Sequence, residues 1–202
     1  MPTQNFVRLF FRAWKLILLC TVLGAVVALA ASLAQTWRYS STERILITQT
    51  NATGLDPYTA IKSTERIAEN LSQIIYTSSF FNAVMAKGQV DAKYFPTDEI
   101  DKRKKWQEAI ETKVVPNTGV VSITAYHPVR DQATNLAVGV AQELATVTPD
   151  YFGYSVRVQI IDDPLPSRFI AKPDFLRNIA IGAIVGLLLS AAWVLGRVKS
   201  VT

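Results

Sequence analysis

Cysteine and histidine are nearly missing from this sequence: Cys20 and His127 stand alone among 202 residues. A single thiol cannot form an intrachain disulfide, and a single imidazole cannot supply a two-histidine metal site. No GxxxxGK[ST] stretch occurs, so the backbone cradle that holds nucleotide phosphates is lacking and autonomous kinase activity is excluded. His127 stands at a strand-to-helix corner without a recognisable nucleophile motif, so a loop or capping role suits it better than that of a general base. The composition points to no cofactor, no metal and no catalytic residues.

Charge is missing from two stretches. Leu16 to Ala34 and Ile179 to Leu195 contain no charged residue, and every acidic residue lies between them. A bilayer core of about 30 Å needs about 20 apolar residues in a helix. The first stretch suffices by itself, and a helix from Asp174 to Gly196 would be about 35 Å long at about 1.5 Å per residue. Two transmembrane helices are therefore expected, over residues 16–36 and 174–196. Of the 21 basic residues, Arg8, Arg12 and Lys15 precede the first stretch, Arg197 and Lys199 follow the second, and the 16 between them match the 16 acids. The formal +5 thus sits in tails 1–15 and 197–202, which by the positive-inside rule places both termini in the cytoplasm. These tails suit anionic lipid headgroups, and no nucleic-acid partner is implied.

Two processing routes bear on the first span. "ALAASLAQ", Ala28 to Gln35, has small residues at signal-peptidase spacing after a basic start, so cleavage within residues 28–35 is one alternative. The uncharged run is longer than most signal cores, which favours retention. Cys20 follows Leu18 and Leu19 with no small residue before it, so it reads as an apolar residue of the span and not as a lipid-anchor site.

Residues 37–173 are long enough for one domain with its own core. Tyr39 to Thr48 predicts a strand. Ile61, Ile67, Ala68, Leu71, Ile74 and Ile75 recur at three- and four-residue steps, predicting a helix from Tyr58 to about Tyr76. A short helix capped by Ser79 follows to Lys87, with Gly88 as its left-handed stop. "FPTDEIDKRKKWQEAIETK" predicts a helix capped by Thr97, with Asp98–Lys102, Glu99–Arg103 and Asp101–Lys105 as i,i+4 pairs. Its "KRKK" run reads as a solvated face. "PNTG" marks a turn before the strand Val120 to Tyr126. A helix follows with Pro128 near its first turn and Ala133, Leu136, Ala137, Val140 and Leu144 on one stripe. Tyr154 to Asp162 predicts the last strand. Asp162 and Asp163, adjacent at a strand end, are expected to point apart.

This order predicts an α+β extracytoplasmic domain, an open sheet with helices on one face, flanked by two transmembrane helices. Both spans must leave the domain from one end, so the first and last strands are expected to be antiparallel and neighbours. Pro164, Pro166 and Pro173 crowd the approach to the second span. Each fixes φ and lacks an N–H, so the sheet ladder is expected to end soon after Asp162 and residues 164–173 to form a semi-rigid strut. Gly182 and Gly186 make a GxxxG in the second span, and Gly24 with Ala28 a small-xxx-small pair in the first. Packing within one chain and self-association between chains would both use these positions.

Nearly the whole chain resembles the Wzz-type chain-length determinants, or polysaccharide co-polymerases, and the related membrane adaptors of bacterial tyrosine kinases. The resemblance rests on the basic tail and first span followed by "YSSTERILI", on "TERIAENLSQIIYTSSFFNAVM", on "GVVSITAYHPVRDQATNLAVGVAQEL" and on "DDPLPSRFIAKPDFLRNIAIG". It implies a non-enzymatic two-pass protein of the bacterial inner membrane that forms ring-like homo-oligomers. Such a protein works beside a polymerase using lipid-linked glycan and governs the length or export of a surface polysaccharide: O-antigen, capsule or exopolysaccharide. By the same resemblance Pro164, Pro166 and Pro173 match the family's proline segment, and Gly182 and Gly186 the small residues of its second span. Departures are the short external segment, which leaves little room for a long protruding helix, and the short tail after Gly196. The resemblance keeps open an adaptor of a separate tyrosine kinase, and topology alone an extracytoplasmic sensor, although the short tail offers no output domain.

Overall fold

The computed structural model describes residues 3–50 and 56–199. The "NATGL" part of the break after the first strand, and residues 1–2 and 200–202 of the two tails, lie outside the described residues. The chain divides into two compact units, one of residues 38–171 and one of residues 1–37 with 172–202.

The second of these contains α1 (Thr3–Leu33) and α6 (Phe175–Lys199). Within them Ala13–Leu33 and Phe175–Gly196 are long and apolar enough to cross a membrane. Leu18, Leu19, Leu23 and Val27 on α1, and Ile184, Leu188 and Leu189 on α6, are exposed. Apolar surface of this extent needs a cover of lipid or protein. Helix α1 begins at Thr3, so the positions of Arg8, Arg12 and Lys15 lie on the helix itself.

Residues 38–171 form an α+β unit around an antiparallel sheet of order β2–β3–β1–β4. Its strands are β1 (Tyr39–Gln49), β2 (Ile110–Val114), β3 (Val120–His127) and β4 (Val156–Pro166). The period of two in β1 and β3 places Ile45, Ile47, Val121, Ile123 and Ala125 on one face, where all are buried. Against that face pack α2 (Pro57–Ile74), α3 (Ser78–Ala86), α4 (Glu99–Ala109) and α5 (Arg130–Phe152). On the other face Thr42 and Thr124, register partners, share a hydrogen bond at 2.9 Å, and the Tyr126 hydroxyl donates to Glu111 at 2.9 Å. Burial and that bond push the Tyr126 phenol above its ordinary range.

The helices start where short polar side chains satisfy free N–H groups. Asp56 caps α2, accepting from the Tyr58 and Thr59 amides at 3.1 Å, with Pro57 in the first turn. Thr77 caps α3, two residues before the expected Ser79, and Gly88 (φ 68°) follows its end. Asp98, not Thr97, caps α4. As the cap, Asp98 is occupied with the Ile100 and Asp101 amides, so Lys102 turns to Glu99 instead. Glu99 also takes Arg103 at 3.1 Å, as expected. Bonds from Lys102, then Ser78 and Arg103, hold its carboxyl at about 2. Lys105 lies 4.5 Å over the Tyr94 ring.

Three expectations need correction. First, helix α4 stops at Ala109 and residues 110–114 form β2, a fourth strand paired with β3 from Ile110↔Ala125 to Val114↔Val121. Glu111 and Lys113 favour helix, but alternation and the free edge of β3 override that weak preference. Second, α5 extends beyond the apolar stripe that closes at Leu144, through Pro149 to Phe152, where Gly153 (φ 64°) ends it; Pro128 stands near its first turn, just before the Val129 cap. Third, β4 does not stop at Asp162. It continues through Pro164 to Pro166, pairing Leu165 with Thr42 and Pro166 with Ser41. As an edge strand with register shifts it is one of the few places a sheet tolerates proline. The expected pairing of the first and last strands, antiparallel and adjacent, is found in β1 and β4.

Candidate functional site

The sequence singled out two groups of residues, the small residues of the helix pair and the three prolines. In the helix pair, Gly24 and Ala28 of α1 meet Gly182 and Gly186 of α6. A Cβ added to Gly182 would overlap the Ala28 side chain, one on Gly24 the Gly182 carbonyl, and one on Gly186 the Cys20 carbonyl. The backbones touch here, and only small residues permit that approach. All four positions thus lie at one crossing within the chain. Its polar groups are satisfied internally: Ser32 Oγ donates to the Ala28 carbonyl at 2.8 Å and accepts from Asn178 Nδ2 at 2.8 Å. Beside the crossing runs an apolar groove of about 660 Å³ whose lining includes Cys20, Leu23, Val27, Val185, Leu189 and Trp193. Asp174 caps α6, its carboxylate accepting from the Arg177 amide at 3.0 Å, so Pro173 lies before the cap and is buried there.

In the α+β unit Pro164 and Pro166 belong to β4, and the chain beyond stays bonded to β1. The Ser167 amide donates to the Ser40 carbonyl at 2.7 Å, the Ser40 amide to Ser167 Oγ at 3.0 Å, and the Ala171 amide to the Arg38 carbonyl at 2.8 Å. Residues 164–171 are therefore fixed by sheet-like bonds along β1 rather than by proline stiffness alone. The structure does not bring Pro173 together with the other two prolines into a single polyproline segment.

The remaining candidates are placed as follows. His127 ends β3 and is 5% exposed. Its Nδ1 accepts from the Val129 amide at 3.0 Å, its ring lies 4.2 Å from that of Tyr94, and Nε2 is buried without a partner. Burial, opposed by the Val129 contact, moves its pKa down. Neither ring nitrogen is open to a substrate. Asp162 faces Arg44 at 3.9 Å. Asp163 lies beside Glu43, a residue absent from the sequence-derived candidates. Glu43 is 2% exposed, its Oε2 has no partner, and its carboxyl is raised to about 7 by burial and then by the charge of Asp163. The signal was there: Glu43 shares parity with Ile45 and Ile47 on a strand whose inward face is apolar. Among the described residues no cluster of three His, Cys, Asp or Glu side chains could hold a metal.

Residues 4–87 match the family model described as "Wzz: Chain length determinant protein". The match covers less than half of the chain. The matched stretch takes in most of α1, all of β1, α2 and α3, and ends just after α3. The family named by the match is the one the sequence resembles. None of the curated proteins matches the chain.

Proposed function

We propose that this protein is a membrane-anchored polysaccharide co-polymerase, a ring-forming homo-oligomeric scaffold that regulates the chain length or export of a surface polysaccharide. It acts beside a polymerase that uses lipid-linked glycan, and makes or breaks no glycosidic bond itself. In this reading the protein crosses the bacterial inner membrane twice, with both termini in the cytoplasm and the α+β unit outside. One observation carries the proposal: the Wzz match begins in α1, the first candidate span, and runs on through β1 to α3, while a second candidate span follows the same α+β unit in chain order. The confinement of the net positive charge to the two tails supports the orientation.

Within this reading the α1–α6 crossing is the anchor and the proline segment fixes the path by which the chain leaves the sheet. The deciding experiment is deletion of the gene in its host, with the surface polysaccharide resolved by length on a gel and the wild-type gene returned as control. A changed length distribution or loss of polymer is expected, and an unaltered profile would remove the proposal. Replacing Pro164, Pro166 and Pro173 together by alanine should preserve insertion and shift the length distribution. An unshifted distribution would take from the prolines any part in length control.

A further inference from the structure

Glu43 occupies an unusual place for a carboxylate. It points into the apolar side of the sheet from β1, and Ser41, the preceding inward residue, is also buried with its hydroxyl unpartnered. The ladder beside it is irregular. Thr42 pairs with Leu165 and Arg44 with Asp162, so Glu43 stands opposite two residues, Asp163 and Pro164; a second shift follows between Arg44 and Ile45. Such bulges leave residues unpaired, and Pro164 and Pro166 bring no N–H to the ladder. Ile161, Asp163 and Pro164 of β4 therefore have no register partner on β1, and they lie at the sheet's edge.

Within the sheet, Glu43 Oε2 has no hydrogen-bond partner. Across β3 its register partner is Ile123, and its neighbours along the inner face of β1 are Ser41 and Ile45. Helix α5 packs on β1 and carries buried Leu136, Ala137 and Val140, while its buried acid Glu143 is engaged by Lys87 at 2.7 Å. On β4 Asp162 is turned to Arg44, leaving Asp163, a like charge.

We infer that Glu43 is a proton-controlled latch: neutral, it lets the outer half of β4 close on β1; ionised, it releases residues 161–166 of that edge strand. The step is a simple loss of the carboxyl proton to solvent, after which the carboxylate needs water, and the weakest neighbouring element yields to admit it. Burial and Asp163 raise the Glu43 pKa to about 7. A carboxyl raised in the closed state favours closure fully at pH below its ordinary value of 4.5, and the advantage is lost as pH rises through about 7. The inference is independent of the part the protein plays in polysaccharide synthesis.

Hydrogen exchange on the full-length protein in detergent micelles, at about pH 6 and about pH 8.5 and corrected for the intrinsic rate of amide exchange, tests it. Amides of Ile161, Asp162, Asp163 and Leu165 should lose about tenfold of their protection at the higher pH, while β2 and β3 stay protected. Glu43→Gln should abolish the pH response, and Asp163→Asn should move its midpoint to lower pH. Equal protection at both pH values, an unchanged response in Glu43→Gln, an unmoved midpoint in Asp163→Asn, or loss of protection throughout the sheet would each overturn the latch.

Discussion

Glu43 and His127 are buried titratable groups on neighbouring strands, and their charges work against the fold from opposite ends of the pH scale. For Glu43, with a folded pKa of about 7 against 4.5, stability falls as pH rises through 7; Glu43→Gln should recover on the order of 2–3 kcal/mol near pH 9 and little near pH 5. His127 has the reverse sign. Its folded pKa lies below the ordinary value because burial disfavours the cation, so the stability it contributes is present above that value and lost as pH falls through the lowered one. His127→Asn keeps an acceptor for the Val129 amide and cannot gain the charge, and should flatten the acid side of the curve. Denaturant titrations of both variants across pH check the two signs. The corner position of His127 was legible from its place between strand and helix. The cost of Glu43 was not, because a single acid in "TERILI" is unremarkable until pairing shows which face is covered.

Elements were read most accurately where the residue pattern was strong. β1 and α2 fell within two residues of expectation, since Ala68, Leu71 and Ile75 form an unbroken buried stripe. β2 was missed because "IETKV" has weak local preference and becomes a strand through its partner. The prolines misled in a similar way: their missing donors end a central strand but not a free edge, and sequence does not announce which strand is the edge. For the helix pair the glycine spacing was visible, while the partner was open until the crossing of Gly24 with Gly182 was seen. Gly182→Leu should force α1 and α6 apart. Cys20, partly buried and the sole thiol, reports on it: reaction with a maleimide in detergent should quicken several-fold, and an unchanged rate would show that the crossing absorbs the larger side chain.

At the scale of the whole molecule, orientation is the quantity to measure. His127 is a poor labelling position because it is buried, whereas Ile100 on α4 is 78% exposed. In a Cys20→Ser background, Ile100→Cys should react with a membrane-impermeant maleimide added to intact spheroplasts; labelling seen only after lysis would put the α+β unit in the cytoplasm and end the co-polymerase reading. The α+β class could be read from the order of predicted strands and helices, and the two candidate spans from long uncharged stretches. The order of the sheet needed pairing information that no short window holds.

The bond between Arg38 and Ala171 has a practical corollary. A compact unit whose first and last residues are joined by a backbone hydrogen bond has its ends side by side, the arrangement that suits excision, re-cutting at a loop such as Asn117–Thr118 with the old ends fused, or insertion at a surface turn of another protein. The boundaries for such engineering are thus already drawn, at a single hydrogen bond.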